Sequence, residues 1–86
     1  MNQLLKDAQL GIEAEAFLST DLGRFLVDKA DQELEDGLQG FLNLSTDDKD
    51  GLLQLQSQCK RAINFKSWLA EAINTGIYAE RELNDE

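Results

Sequence analysis

The amino-acid sequence predicts an all-α protein in which two shorter helices pack as an antiparallel hairpin along one long helix. Proline is absent from the 86 residues, and proline is the residue that most strongly breaks helices. Apolar residues recur at spacings of three and four along most of the chain, which is the helical period. Hydrophobic residues make up 42% and charged residues 29%, a composition typical of a folded protein. A chain this short forms one domain, residues 1–86, with a small core.

The first helix is predicted over residues 3–18. Its amphipathic stripe is interrupted by Gly11. The stripe consists of Leu5, Ala8, Ile12 and Ala16.

The second helix is predicted over residues 20–42. The segment Ser19-Thr20-Asp21 supplies a hydroxyl for the N-cap and an acid for the first turn. Gly37 and Gly40 either permit close approach of another helix or weaken the last turns. The apolar stripe of this helix consists of Leu22, Phe25, Leu26, Ala30, Leu34, Leu38, Phe41 and Leu42.

The third helix is predicted over residues 46–83. Ser45-Thr46-Asp47-Asp48 is close to a capping box, with aspartate in place of glutamate. From Leu52 onward a heptad-like seam of apolar and small residues continues to Leu83. Thr75-Gly76 is the one position where a kink or fraying of the helix is expected.

A turn near Leu44 would fold the third helix back along the first two. The sequence numbers of two residues that face each other would then add up to roughly 88. In this register Trp68 lies opposite Ser19-Thr20. The acidic middle of helix 2 would face a stretch of helix 3 that carries basic residues and no acids. The candidate structural ion pairs involve Arg24, Asp28, Lys60 and Arg61.

Two or three helices cannot surround a core as four do, so part of each apolar stripe should stay uncovered. We therefore expect self-association, as a dimer or a higher oligomer, or docking on a larger partner. Aromatic residues are favoured binding anchors, although for Trp68 ordinary core packing is the alternative. The candidate interaction surface consists of Phe25, Phe65, Trp68, Leu69, Ile73 and Tyr78.

Neither catalysis nor a cofactor is expected. The chain has no histidine, and Cys59 is its one cysteine, so the usual ligands of a zinc site and an activated thiol are both missing. The clustered carboxylates are interpreted as solvated helix surface and first-turn acids. The net charge of −9 disfavours direct binding of nucleic acids or acidic membranes. The charged residues near the N-terminus argue against a signal peptide or a membrane span.

Two segments, residues 17–33 and 63–86, resemble a family of small uncharacterised all-helical proteins from tailed bacteriophages. The resemblance includes the phrase Leu22-Gly23-Arg24-Phe25-Leu26 and the phrase Trp68-Leu69, followed by Gly76. It implies an all-α fold, a phage origin and a gene near the head or packaging module. It assigns no residue to catalysis or binding.

These observations together predict a non-enzymatic phage protein that acts through protein–protein interaction, as an accessory or adaptor in virion assembly or packaging. The alternative is a small phage inhibitor that binds a host protein through the apolar stripe or by acidic mimicry of nucleic acid. Either protein would be found in the host cytoplasm or in the virion. Arg24 is expected to pair with an acid of a neighbouring helix, the alternative being contact with a partner protein.

Overall fold

The computed structural model describes residues 2–85 and contains three α-helices. They are α1 (Asn2–Leu18), α2 (Asp21–Leu42) and α3 (Lys49–Asn84). The predicted all-α class with three helices is confirmed, and the described residues include no strand. The predicted domain 1–86 also includes residues 1 and 86, which lie outside the described part of the chain.

The corner between α1 and α2 is built around Thr20, the N-cap of α2. Its hydroxyl accepts a hydrogen bond from the Gly23 backbone N–H at 2.9 Å and donates one to the Phe17 carbonyl at 2.6 Å. A side chain at residue 23 would collide with that same carbonyl. The cap therefore ties the end of α1 to the start of α2, and glycine makes the approach possible.

The start of α3 differs from the prediction. The helix begins at Lys49 and not at residue 46, and its N-cap is Asp48. The Asp48 carboxylate accepts a hydrogen bond from the Gly51 N–H at 2.8 Å. The prediction of a cap at Ser45-Thr46 is wrong because these residues belong to a preceding turn, in which the Asp48 N–H donates to the Ser45 carbonyl at 3.1 Å. An aspartate caps a helix as well as a serine does, so both Ser45 and Asp48 could have served as the N-cap.

Small residues form the contacts between the helices. Every buried residue of the three helices is an alanine or a glycine, and the described part of the chain has no large side chain that is fully buried. Along the predicted α3 seam of apolar and small residues, Ala62 and Gly76 are buried, most of the large members are half-buried, and Ile63 and Ile77 are exposed. Backbones that approach closely leave room only for small side chains between them. The buried residues are Ala8, Gly11, Ala14, Gly23, Ala30, Gly37, Ala62, Gly76 and Ala79.

The closest helix contact joins α1 and α3 at two glycines. A Cβ built on Gly11 would lie 2.8 Å from the Gly76 Cα, and one built on Gly76 would lie 2.7 Å from the Gly11 Cα. Both helices continue through these positions. Each glycine lies inside a continuous helix and serves as a contact point between the two backbones, so α1 is not broken at Gly11 and α3 does not fray at Gly76.

The contact between α2 and α3 is displaced from the predicted register. A Cβ on Gly37 would lie 2.5 Å from the Cys59 Sγ, and one on Gly40 would lie 2.8 Å from a Leu55 Cδ. Both partners lie about two helical turns further along α3 than expected. The connection at residues 43–48, longer than the turn predicted near Leu44, accounts for part of this displacement. Of the two interpretations of these glycines, the structure favours close approach of another helix.

The molecule is long and thin. Its principal extents are 59 × 25 × 15 Å and its radius of gyration is 17.5 Å, whereas a compact chain of this length has a radius of gyration of about 12 Å. Its accessible surface is 6558 Å², against about 5,100 Å² for a compact monomer of the same mass. The chain therefore exposes an excess of about 1,500 Å² relative to that reference.

Candidate protein-protein interface

About half of the large apolar side chains in the described part of this molecule are exposed, and the others are half-buried. Those that are exposed have between 39% and 65% of their surface accessible. Exposed apolar residues that occur singly are ordinary, but contiguous ones mark sites of interaction. The residues concerned are Leu5, Leu10, Ile12, Leu22, Phe25, Leu38, Phe41, Leu42, Leu53, Ile63, Trp68, Ile77 and Tyr78.

The most apolar concave surface lies between α2 and the first half of α3, and we call it the α2–α3 groove. Its volume is about 380 Å³ and no charged residue lines it. Leu38, Phe41 and Ile63 stand at its rim and are exposed, while Cys59 lies at its floor beside Gly37 and is half-buried. The groove is lined by Leu34, Gly37, Leu38, Phe41, Leu52, Leu55, Gln56, Cys59 and Ile63.

The depressions further along the helix contacts differ from the groove in carrying charges. On the opposite side of the α2–α3 contact, the depression that contains Phe65 is flanked by Lys29, Glu33 and Arg61. Along the contact between α1 and α3, one depression contains Asp7 and Glu71 and another contains Glu15 and Glu80. A depression at the α2–α3 connection contains Asp48 and Lys49. The α2–α3 groove is thus the uncharged one among these concave surfaces of the described residues.

The six residues predicted as an interaction surface do not form one patch. Trp68 lies beside Asp7 and Leu10, whereas Ile73 lies with Ile12 and Ile77. Trp68 and Ile73 are about 140° apart around α3, because successive helical residues are about 100° apart. The interpretation as one surface is wrong because it treated the apolar residues of α3 as a single face, although they surround the helix.

The remaining members of that predicted set are distributed in the same way. Phe65 lines the depression beside Leu26, and it is half-buried, as is Leu69. Tyr78 and Phe25 are exposed. Trp68 lies beside Asp7 and Leu10 of α1, so its predicted position opposite Ser19-Thr20 is wrong. It is 65% exposed, so the alternative that it packs in the core is wrong as well.

The predicted ion pairs are also wrong. Arg24, Asp28, Lys60 and Arg61 are all exposed, and none of them forms an ion pair with another described residue. An acid of α2 and a base of α3 do form an ion pair, but the residues are Asp31 and Lys66, with 2.5 Å between Nζ and Oδ1. The displacement of α2 along α3 brings these two residues together.

Sequence reasoning missed the groove, although a signal for it was present. Leu34, Leu38 and Phe41 stand at spacings of four and three beside Gly37. A glycine next to such a row brings the neighbouring helix close and leaves the large side chains at the edge of the contact. The predicted interaction surface was instead chosen around aromatic residues such as Trp68 and Tyr78.

Residues 2–85 contain no cluster of three or more histidine, cysteine or acidic side chains suited to hold a metal ion. Within the same range, none of the helices combines the length and apolar character needed to cross a bilayer. Comparisons of the chain with protein-family models, with curated proteins and with solved structures find no match.

Proposed function

We propose that this chain is a non-enzymatic helical protein that works by protein–protein interaction, and that it forms an oligomer in which the helical hairpin packs on a second hairpin. The observation that carries the proposal is the inversion of the usual core. The buried residues are alanines and glycines, whereas about half of the leucine, isoleucine and aromatic side chains are exposed and the others are only half-buried. Each large apolar side chain that association fully buries contributes about 1.5–3 kcal/mol of favourable free energy. The isolated chain lacks this stabilisation.

The excess surface supports the same proposal. A stable protein–protein interface removes about 800 Å² from each partner. The chain exposes about 1,500 Å² more than a compact protein of its mass, which is enough for one such interface and part of another.

Sedimentation velocity over a range of protein concentrations tests self-association directly. A sedimentation coefficient that rises with concentration, with a limiting mass of two or more chains, is the expected result. A single species with the mass of one chain, 9.6 kDa, at high micromolar concentration would contradict it.

For the biological role we propose an accessory or adaptor function in phage assembly or packaging. This role is supported by the resemblance of residues 17–33 and 63–86 to phage proteins. A protein with this role would be found in the host cytoplasm or in the virion. Mass spectrometry of purified virions, together with affinity purification from infected cells, should recover the chain with virion or assembly proteins.

The second candidate is a small phage inhibitor of a host protein. The observation that favours it is the net charge of −9 on a thin rod 59 Å long, a shape and charge that resemble a short nucleic-acid duplex. Recovery of one dominant host protein from uninfected lysate, with no phage protein present, would support the inhibitor and contradict the assembly role. Release of that host protein by competing DNA would identify mimicry.

A further inference from the structure

We infer that the α2–α3 groove is the surface through which two copies of this chain pair, related by a twofold axis, so that the rim residues of each copy enter the groove of the other. The inference rests on the proposed self-association and specifies its site. A twofold interface uses the same patch on both copies. The groove suits this use because it has both a concave floor and apolar rim residues, Leu38, Phe41 and Ile63.

Charge selects this groove among the candidate surfaces. Two chains that each carry a net charge of −9 repel one another, and bringing like charges together costs most where water is excluded. The depressions along α1 would bring Asp7 and Glu71, or Glu15 and Glu80, against their own copies. The α2–α3 groove presents only Gln56 and apolar residues, so two copies approach there without burying a charge.

The flanks of the groove carry complementary charges. On α2 the row beside the groove includes Asp31 and Glu35, which precede Leu38 by seven and three residues. On α3 the corresponding row includes Lys60, three residues before Ile63. Residues at these spacings lie on one side of a helix. Lys60 forms no ion pair with another residue of the described range 2–85. If α3 of one copy lies over α2 of the other, Lys60 faces Glu35 of the second copy.

The composition of the groove also identifies a second copy as its occupant. The rim side chains are leucine, isoleucine and phenylalanine, and the other lining residues are uncharged. A two-helix layer placed on an identical layer forms a four-helix arrangement, the smallest common helical architecture with an enclosed core. The surface that such a pairing removes, about 800 Å² for each copy, is within the excess of this chain.

Two residues of the native chain report on the two sides of the molecule. Cys59 is the one thiol and lies in the groove, while Trp68 is the one tryptophan and lies nine residues further along α3, about half a turn away around the helix. The rate of Cys59 alkylation should fall several-fold as the chain passes from monomer to dimer in sedimentation. The Trp68 emission maximum should stay where it is.

Paired variants test the site. Leu38 is 56% exposed in the groove rim, and Leu10 is 55% exposed beside Trp68. Leu38→Glu should weaken dimerisation by about 100-fold or more, because two buried charges would be introduced for each dimer. Leu10→Glu should leave the dimerisation constant within about twofold. Circular dichroism of both variants at low concentration checks that the monomer retains its helices.

Charge exchange tests the arrangement of the copies. Lys60→Glu and Glu35→Lys should each weaken the dimer several-fold, and the double variant should restore wild-type affinity. A dimer whose Cys59 reacts at the monomer rate, or one that Leu10→Glu disrupts and Leu38→Glu does not, would overturn the groove as the interface while leaving self-association intact. A monomer at every concentration would overturn both. Failure of the charge exchange to restore affinity would refute the pairing of α3 with α2.

Discussion

Substituting alanine for Gly76 tests the claim that α1 and α3 are in backbone contact. A Cβ at this position would lie 2.7 Å from the Gly11 Cα and 3.0 Å from the Asp7 carbonyl oxygen, whereas carbon atoms in contact are about 3.5–4.0 Å apart. Because both neighbours belong to the backbone of α1, no side-chain rotation relieves the overlap. The two helices must separate by several tenths of an ångström or more.

Two effects of opposite sign determine the result. Alanine favours the helical conformation by about 1 kcal/mol relative to glycine, while forced separation of packed elements costs about 1–3 kcal/mol. Gly40→Ala is a matched control, because its Cβ would meet the Leu55 Cδ atoms at the end of a flexible side chain. The propensity gain is common to both variants and cancels in their difference.

Urea unfolding followed by far-ultraviolet circular dichroism measures that difference. Both variants are compared at one protein concentration, so that the proposed self-association would act equally on both. Gly76→Ala should have a free energy of unfolding lower than that of Gly40→Ala by about 1–3 kcal/mol. For a chain of this size, that corresponds to a difference in Tm of about 4–8 °C for each kcal/mol. A Gly76→Ala variant as stable as Gly40→Ala would refute the close contact between α1 and α3.

Four further substitutions test the helix termini and the surface. Thr20→Ala removes both hydrogen bonds of the Thr20 hydroxyl and should lower the free energy of unfolding by about 1–2 kcal/mol in urea titration. Asp48→Ala should cost about 1 kcal/mol, whereas Thr46→Ala, at the cap position that the sequence suggested, should change it by less than about 0.5 kcal/mol; equal effects would contradict the assigned start of α3. Lys66→Met breaks the ion pair with Asp31, but both side chains are about half exposed, so thermal melting at low and high salt should reveal a loss of no more than about 0.5 kcal/mol.

Periodicity and cap residues predicted the existence and the approximate limits of the three helices. They worked because they depend on local physics: the spacing of apolar residues along one helix, and a hydroxyl or carboxylate placed to accept from a backbone N–H. At the start of α3 two cap-competent sites, Ser45-Thr46 and Asp48, compete, and local preference does not separate them. The predicted start of α2 agrees more closely with the structure. There the Thr20 hydroxyl, besides capping α2, donates a hydrogen bond to the end of the preceding helix.

The contacts between helices were less predictable, because an apolar stripe contains both small and large residues. On α2 the predicted stripe included Ala30 together with Leu34 and Leu38. Periodicity alone does not say which of these lies at the closest approach. The distance between the helix axes decides it, and that distance depends on the residues of both helices at once. The glycines were therefore the more informative residues, since Gly37 and Gly76 each mark a point where another helix approaches.

The buried glycines and the exposed leucines are two consequences of one arrangement. When two helices approach at a glycine, little apolar surface fits between them, and the larger side chains of the same stripes are displaced to either side of the contact. In the described residues, α1 and α3 are in close backbone contact, and large apolar side chains lie exposed beside the helix contacts. Covering these side chains would add hydrophobic stabilisation. Net charge opposes coverage by a second copy wherever acids line the surface, and the α2–α3 groove is the concave surface where they do not. If the chain self-associates as proposed, its stability should rise with its own concentration.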